Sequence, residues 1–196
     1  MKRLLWFAAV AAVCVSCGGK KSGYVIDGKI AEGRTDLEGK YVYLIPYGSD
    51  GAATDSALIE KNTFKLQGEP TADGLYALYL KDEGDEMMSR VGEAPFSAVF
   101  VLQKGEMQAV LDSFSYVTGT PENNAFKDIR SVLVDAQKNY MNLVSNIKEG
   151  ELEAVKAKAK RLEDEMMAKV KAYIEANPNK LTTAKLLTDF QFGLDE

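Results

Sequence analysis

The sequence has no histidine among its 196 residues, so a histidine base, a histidine metal ligand and a Ser-His-Asp triad are all excluded. It has two cysteines and one tryptophan, and neither a phosphate-cradling glycine-rich loop nor a G-x-S-x-G elbow. Lys and Arg number 24 against 29 Asp and Glu, a net charge of -5, which argues against a nucleic-acid partner because such binding draws most of its affinity from phosphate neutralisation. The apolar run over residues 4–15 has 12 residues, short of the roughly 20 that a bilayer-crossing helix needs. What is present is ordinary for a folded chain: 46% hydrophobic and 27% charged residues, enough for one or two domains.

The apolar run lies between a basic start, Lys2-Arg3, and Ser16, directly before Cys17-Gly18-Gly19. This is the three-part layout of a secretory signal. Val15-Ser16-Cys17-Gly18 resembles the bacterial lipobox, in which a small residue precedes a cysteine that is acylated and becomes the new N-terminus; Cys14 stands where that motif usually has leucine. The resemblance implies lipidation at Cys17 and attachment to a membrane of the bacterial cell envelope, since each buried methylene of an acyl chain contributes about 0.8 kcal/mol. Residues 1–16 then form a signal peptide and residues 17–23 a lipidated tether, whose stretch after Cys17, residues 18–23, extends about 20 Å at roughly 3.4 Å per residue. Lys20-Lys21, with no acidic run beside it, favours a periplasm-facing position over the cell surface, and the expected location is the outer membrane, facing the periplasm. Cys14 and Cys17 also have C-x-x-C spacing, but a dithiol site needs a thiolate at a helix N-terminus, and here one cysteine lies in the signal and the other is the acylation site. Processing leaves 22 basic against 29 acidic residues, a balance of -7, and no free thiol.

Residues 24–119 read as an antiparallel β domain. Short apolar or alternating segments at 24–30, 40–47, 56–60, 63–67, 75–80, 98–103, 107–111 and 114–118 are separated mostly by two to five turn residues, which suits hairpins and meanders. Tyr41-Val42-Tyr43-Leu44-Ile45-Pro46-Tyr47 is apolar on both faces, which predicts a strand covered on two sides, ending near an edge at Pro46. From Thr120 the period changes to steps of three and four: Phe126, Ile129, Leu133, Ala136, Tyr140, Leu143 and Ile147. Thr120 is placed as an N-cap and Pro121 as the first helical residue. A second stripe, Leu152, Val155, Ala159, Leu162, Met166, Val170 and Tyr173, follows Gly150, so the two form a helical hairpin whose stripes satisfy each other. Asn177-Pro178 ends the second arm, and a short third helix runs from Leu181 to about Phe192. The fold class is therefore α+β: a β-sandwich-like domain followed by a helical region over residues 120–196. The tight Gly119–Pro121 boundary predicts that the two parts pack as one unit.

The order of motifs from Gly23 resembles a domain of unknown function found in bacterial envelope lipoproteins ahead of TlpA-like or AhpC/TSA-like thioredoxin domains. The matching residues are Tyr24-Val25-Ile26-Asp27-Gly28, Gly39-Lys40-Tyr41-Val42-Tyr43-Leu44, Asp55-Ser56-Ala57, Asn62-Thr63-Phe64-Lys65-Leu66-Gln67-Gly68, Val117-Thr118-Gly119-Thr120-Pro121-Glu122-Asn123 and Tyr173-Ile174-Glu175-Ala176-Asn177-Pro178-Asn179. Asn62 stands where the family more often has a turn glycine. Fuller members resemble thiol-disulfide oxidoreductases and continue into a thioredoxin fold with Cys-x-x-Cys; this sequence reaches Glu196 without that motif, so no catalytic residue carries over. The resemblance implies an envelope lipoprotein built from the accessory domain alone; a separate thioredoxin-fold protein as partner belongs to the rival expectation of an accessory subunit.

Tyr24, Tyr41, Tyr43, Tyr47, Tyr76 and Tyr79 make the β part rich in aromatics; Tyr41, Tyr43, Tyr47, Tyr76 and Tyr79 form the candidate ligand face, although half-buried strands favour aromatics for packing alone. Asp82-Glu83-Gly84-Asp85-Glu86 lacks the spacing of a calcium loop and reads as a solvated turn. Met87-Met88 and Met166-Met167 read as gap-fillers and not as a soft-metal site. Carboxylate pairs such as Asp27 and Asp55 have no recognisable hydrolase spacing. The expectation is a non-catalytic binding or interaction module with no cofactor and no metal, or else an accessory subunit or truncated relative of a thiol-disulfide oxidoreductase lacking the catalytic thioredoxin domain.

Overall fold

The computed structural model describes residues 23–49, 52–69, 72–80, 96–145, 147 and 152–194. The signal segment, Cys17, the tether before Gly23, the acidic stretch 82–86, Met87-Met88 and Gly150 lie outside the described residues.

Among the described residues eight strands form, each within two residues of the sequence expectation: β1 Tyr24–Ile30, β2 Tyr41–Pro46, β3 Asp55–Leu58, β4 Thr63–Gly68, β5 Gly74–Leu80, β6 Ser97–Leu102, β7 Gly105–Leu111 and β8 Tyr116–Thr118. They build two four-stranded sheets, the first in the order β4-β1-β7-β8 and the second in the order β3-β2-β5-β6. All pairs are antiparallel except β1 with β7, which run parallel from Tyr24↔Gly105 to Ile30↔Leu111. Local hairpin signals do not carry that long-range pairing. The chain changes sheet between β3 and β4 through Lys61 and Asn62, both with positive φ (52° and 58°), the geometry of a tight hairpin turn that asparagine tolerates and glycine favours.

The pleat decides what each strand buries. Ile26, Val42, Leu44, Phe64, Leu66, Leu78, Phe100, Leu102, Met107 and Leu111 meet between the sheets. Burying side chains of this size contributes about 1.5–3 kcal/mol each. Gly28 is the exception on β1, because a Cβ there would fall within the Phe64 ring that lies across it from β4.

β6 is the strand covered on both sides: every residue from Ser97 to Leu102 is buried. β2 is graded instead. Val42 and Leu44 face the core, and along the other face Tyr41 is 47% exposed, Tyr43 half-buried and Ile45 buried. Pro46 ends an interior strand, not an edge one; β3 stops opposite Leu44, so the missing N–H of Pro46 loses no ladder partner.

Three helices follow, α1 Pro121–Ser145, α2 Leu152–Ala176 and α3 Leu181–Asp189, with a final 3-10 turn at Gln191–Gly193. Thr120 caps α1 as expected, its Oγ1 accepting the Asn123 N–H at 3.3 Å. Gly119 has φ +108° and passes so close to Glu106 and Met107 that a side chain would collide with their backbone. The sandwich and the helices pack together. Asn123 bonds to β6, Arg130 Nη1 donates to the Ser115 carbonyl at 3.1 Å, and Phe126, Ile129, Val170 and Leu186 close a second core. Glu122, buried in the first turn of α1, accepts the Thr182 N–H at 3.1 Å and its Oγ1 at 3.2 Å, so one carboxylate serves the N-termini of both α1 and α3.

Candidate binding face on the second sheet

On the outer face of the second sheet the odd-numbered positions of β2, β5 and β6 stand in rows. One row, Ile45, Ala77 and Val99, is buried, with Tyr47, Leu75 and Tyr79 packed around it. The next row, Ser56-Tyr43-Tyr79-Ser97, crosses all four strands, and beyond it Tyr41 sits opposite Leu58. Tyr43 and Tyr79 are direct cross-strand partners with ring centroids 5.6 Å apart, tilted 32°; Tyr41 and Tyr43 follow at 6.3 Å and 39°. Tilted pairs at these separations contribute about 0.5–1.5 kcal/mol beyond burial. Burial, with Tyr43 beside it, pushes the Tyr79 phenol above its ordinary value, so at neutral pH its hydroxyl remains a donor.

The five candidate tyrosines therefore divide. Tyr41, Tyr43 and Tyr79 form a ladder with Leu58 at its exposed end. Tyr47 shares their face but is held beneath α3: Lys185 Nζ donates to its hydroxyl at 3.0 Å and sits 4.6 Å from the ring centroid. Tyr76 points the other way, opposite Phe100, and packs against the inter-sheet core. Tyr76 and Tyr79 are three apart on one strand, so the pleat alone sets them on opposite faces. Tyr24 is also inward, its hydroxyl donating to Asp55 Oδ2 at 3.0 Å. Asp27 is paired on the first sheet with Lys65 at 2.6 Å, so Asp27 and Asp55 serve separate partners.

Sequence reasoning did not single out Leu58, Lys185 or Glu122. Lys185 is only 8% exposed; it forms an ion pair with Asp189 at 2.8 Å within α3 and joins the helix to the sheet through Tyr47. A lysine within an apolar helix pattern gives no local sign of such burial. A second concavity, about 830 Å3, lies over the first sheet with Lys29, Lys65, Gln108, Tyr116 and Thr118 in its lining. Among the described residues no group of three or more His, Cys, Asp or Glu is placed to hold a metal, and no helix is long and apolar enough to cross a membrane.

The family model for a domain of unknown function, DUF4369, matches residues 24–126. The chain belongs to this family. The DUF4369 match takes in all eight strands and extends into α1 as far as Phe126, so it includes Asn123, the residue that joins α1 to β6, and all three ladder tyrosines. No curated protein and no solved structure matches the chain.

Proposed function

We propose that this DUF4369 protein is a non-catalytic, lipid-anchored protein of the bacterial envelope, a binding module whose contact surface is the tyrosine ladder. The observation that carries the reading is the ladder of Tyr41, Tyr43 and Tyr79, in which Tyr41 is 47% exposed and Tyr43 and Tyr79 are half-buried. Aromatic rings in a row offer large contact area at low conformational cost, with hydroxyl edges that fix orientation. The lipobox at Cys17 supports the anchor, and Lys20-Lys21 supports a position facing the periplasm over one at the cell surface. The absence of histidine removes the commonest general base and supports binding over turnover.

The test has two arms. Cells fed labelled palmitate incorporate label into the wild-type chain and not into Cys17→Ala, which leaves the membrane fraction. Tyr41→Ala/Tyr43→Ala, still folded and lipidated, loses the envelope component that the wild type retains. Unlabelled wild type, or equal retention by the ladder variant, defeats the corresponding half of the reading.

A second reading, accessory subunit of a thiol-disulfide oxidoreductase, is supported by the order of motifs shared with domains that precede TlpA-like or AhpC/TSA-like thioredoxin folds. It requires a thioredoxin-fold protein among the components retained through Tyr41 and Tyr43.

A further inference from the structure

The arms of the hairpin do not close their own apolar stripe. At the base they do, because Phe126, Ile129 and Val170 gain a third partner in Leu186 of α3. Beyond Ile129 every described residue of α1 is half-buried or exposed. Leu133, Ala136, Tyr140, Ala159, Leu162 and Met166 instead line a cleft of about 500 Å3 between α1 and α2, with Lys156, Lys160 and Glu163 among its lining residues. Tyr140 and Met141 are 47% and 53% exposed. Two helices side by side cover only one flank of each other's stripe, and a closed core needs a further layer.

The charge order on α2 indicates what supplies it. About Leu162 the sign changes in blocks: Glu153 precedes Lys156, Lys158, Lys160 and Arg161, and Glu163, Asp164 and Glu165 precede Lys169 and Lys171. A positive block preceding a negative block complements itself when a second copy runs antiparallel about a two-fold axis near Leu162, whereas parallel packing sets like charges together. The Lys160–Asp164 pair within one copy, 3.2 Å and exposed, contributes only a few tenths of a kcal/mol, so re-pairing across an interface costs little.

We propose that the hairpin is a self-association surface: two copies of this chain pack antiparallel through the cleft and complete a four-helix bundle. Leu133, Tyr140, Leu162 and Met166 of each copy form its core, and Lys160 and Arg161 of one face Asp164 and Glu163 of the other. The tyrosine ladder takes no part in this contact.

The full chain, purified in a mild detergent, is examined by sedimentation velocity. The wild type sediments as a dimer, at twice the mass of one mature chain. Lys160→Glu/Arg161→Glu and Glu163→Lys/Asp164→Lys each raise the dimer dissociation constant more than about tenfold, and an equimolar mixture of the two restores the dimer. A monomeric wild type, variants that both dimerise as the wild type does, or a mixture that stays monomeric overturns the proposal. So does saturation of the wild-type cleft by a different protein in place of a second copy.

Discussion

Asn123, in the first turn of α1, holds both sides of the Val101 peptide: its Oδ1 accepts the Val101 N–H at 2.8 Å and its Nδ2 donates to the Val101 carbonyl at 2.9 Å. β6 is the edge of the second sheet, and this carboxamide does for Val101 what a neighbouring strand would do. The helices are thereby fixed to the sheet by a two-point contact at a residue 1% exposed. Asn123→Ala leaves a buried N–H and a buried C=O without partners, each costing about 1–3 kcal/mol. Urea unfolding of the full chain is expected to show a loss of about 2–4 kcal/mol, and a loss below half of that excludes the two-point contact.

Gly28 is set by Phe64. A Cβ at position 28 would overlap a ring that is 5% exposed and walled in by the inter-sheet core, so the ring has no free direction in which to move. Gly28→Ala is expected to destabilise by about 1–3 kcal/mol. The double variant Gly28→Ala/Phe64→Leu should recover part of this, as read from the two urea midpoints against Phe64→Leu alone.

Stability should fail on the alkaline side. Burial, then the hydrogen bond to Asp55 and its negative charge, pushes the Tyr24 phenol well up; burial also raises Tyr173. For Lys185, burial lowers the ammonium, but the bonds to Asp189 and Tyr47 outweigh it and the net direction is upward. A group whose folded pKa lies above its unfolded value contributes stability that is complete below the unfolded value and lost as pH rises through the folded one. The urea midpoint is therefore expected to hold to about pH 10, where unfolded tyrosine titrates, and to fall above it. Tyr24→Phe should flatten part of that fall; an unchanged slope would show that Tyr24 does not contribute to it.

The ladder should be separable from stability. Tyr41 is nearly half exposed and Tyr43 is half-buried, so Tyr41→Ser/Tyr43→Ser is expected to cost no more than about 1–2 kcal/mol. Tyr47→Ala, by contrast, removes the acceptor and the ring face beneath Lys185 and should release α3, seen as faster amide exchange over Leu181–Asp189. Equal destabilisation by both variants would show that the ladder tyrosines are structural.

The elements were legible because their signals are local. Thr120-Pro121 starts α1 through a side-chain cap and a fixed φ, Asn177-Pro178 ends α2 because proline cannot continue it, and β1 is found residue for residue from Tyr24 to Ile30. The candidate face was legible only in part. Tyr41, Tyr43 and Tyr79 came together as aromatics on strands, and the three-residue gap between Tyr76 and Tyr79 already contained the pleat that separates them. The contact that holds Tyr47 beneath α3 could not be read, since it depends on Lys185, 138 residues away in sequence.

The sequence by itself determined the period of each segment and the residues that stop it, because φ preferences, caps and alternation act over a few residues. Tertiary structure alone decided the parallel pairing of β1 with β7, the crossing between sheets, and which sheet face the helices cover. It also decided that the hairpin closes at Phe126, Ile129 and Val170 and stays open at Tyr140. Those outcomes depend on which apolar faces find a partner of matching shape across the whole fold, a competition between distant surfaces that no local pattern encodes.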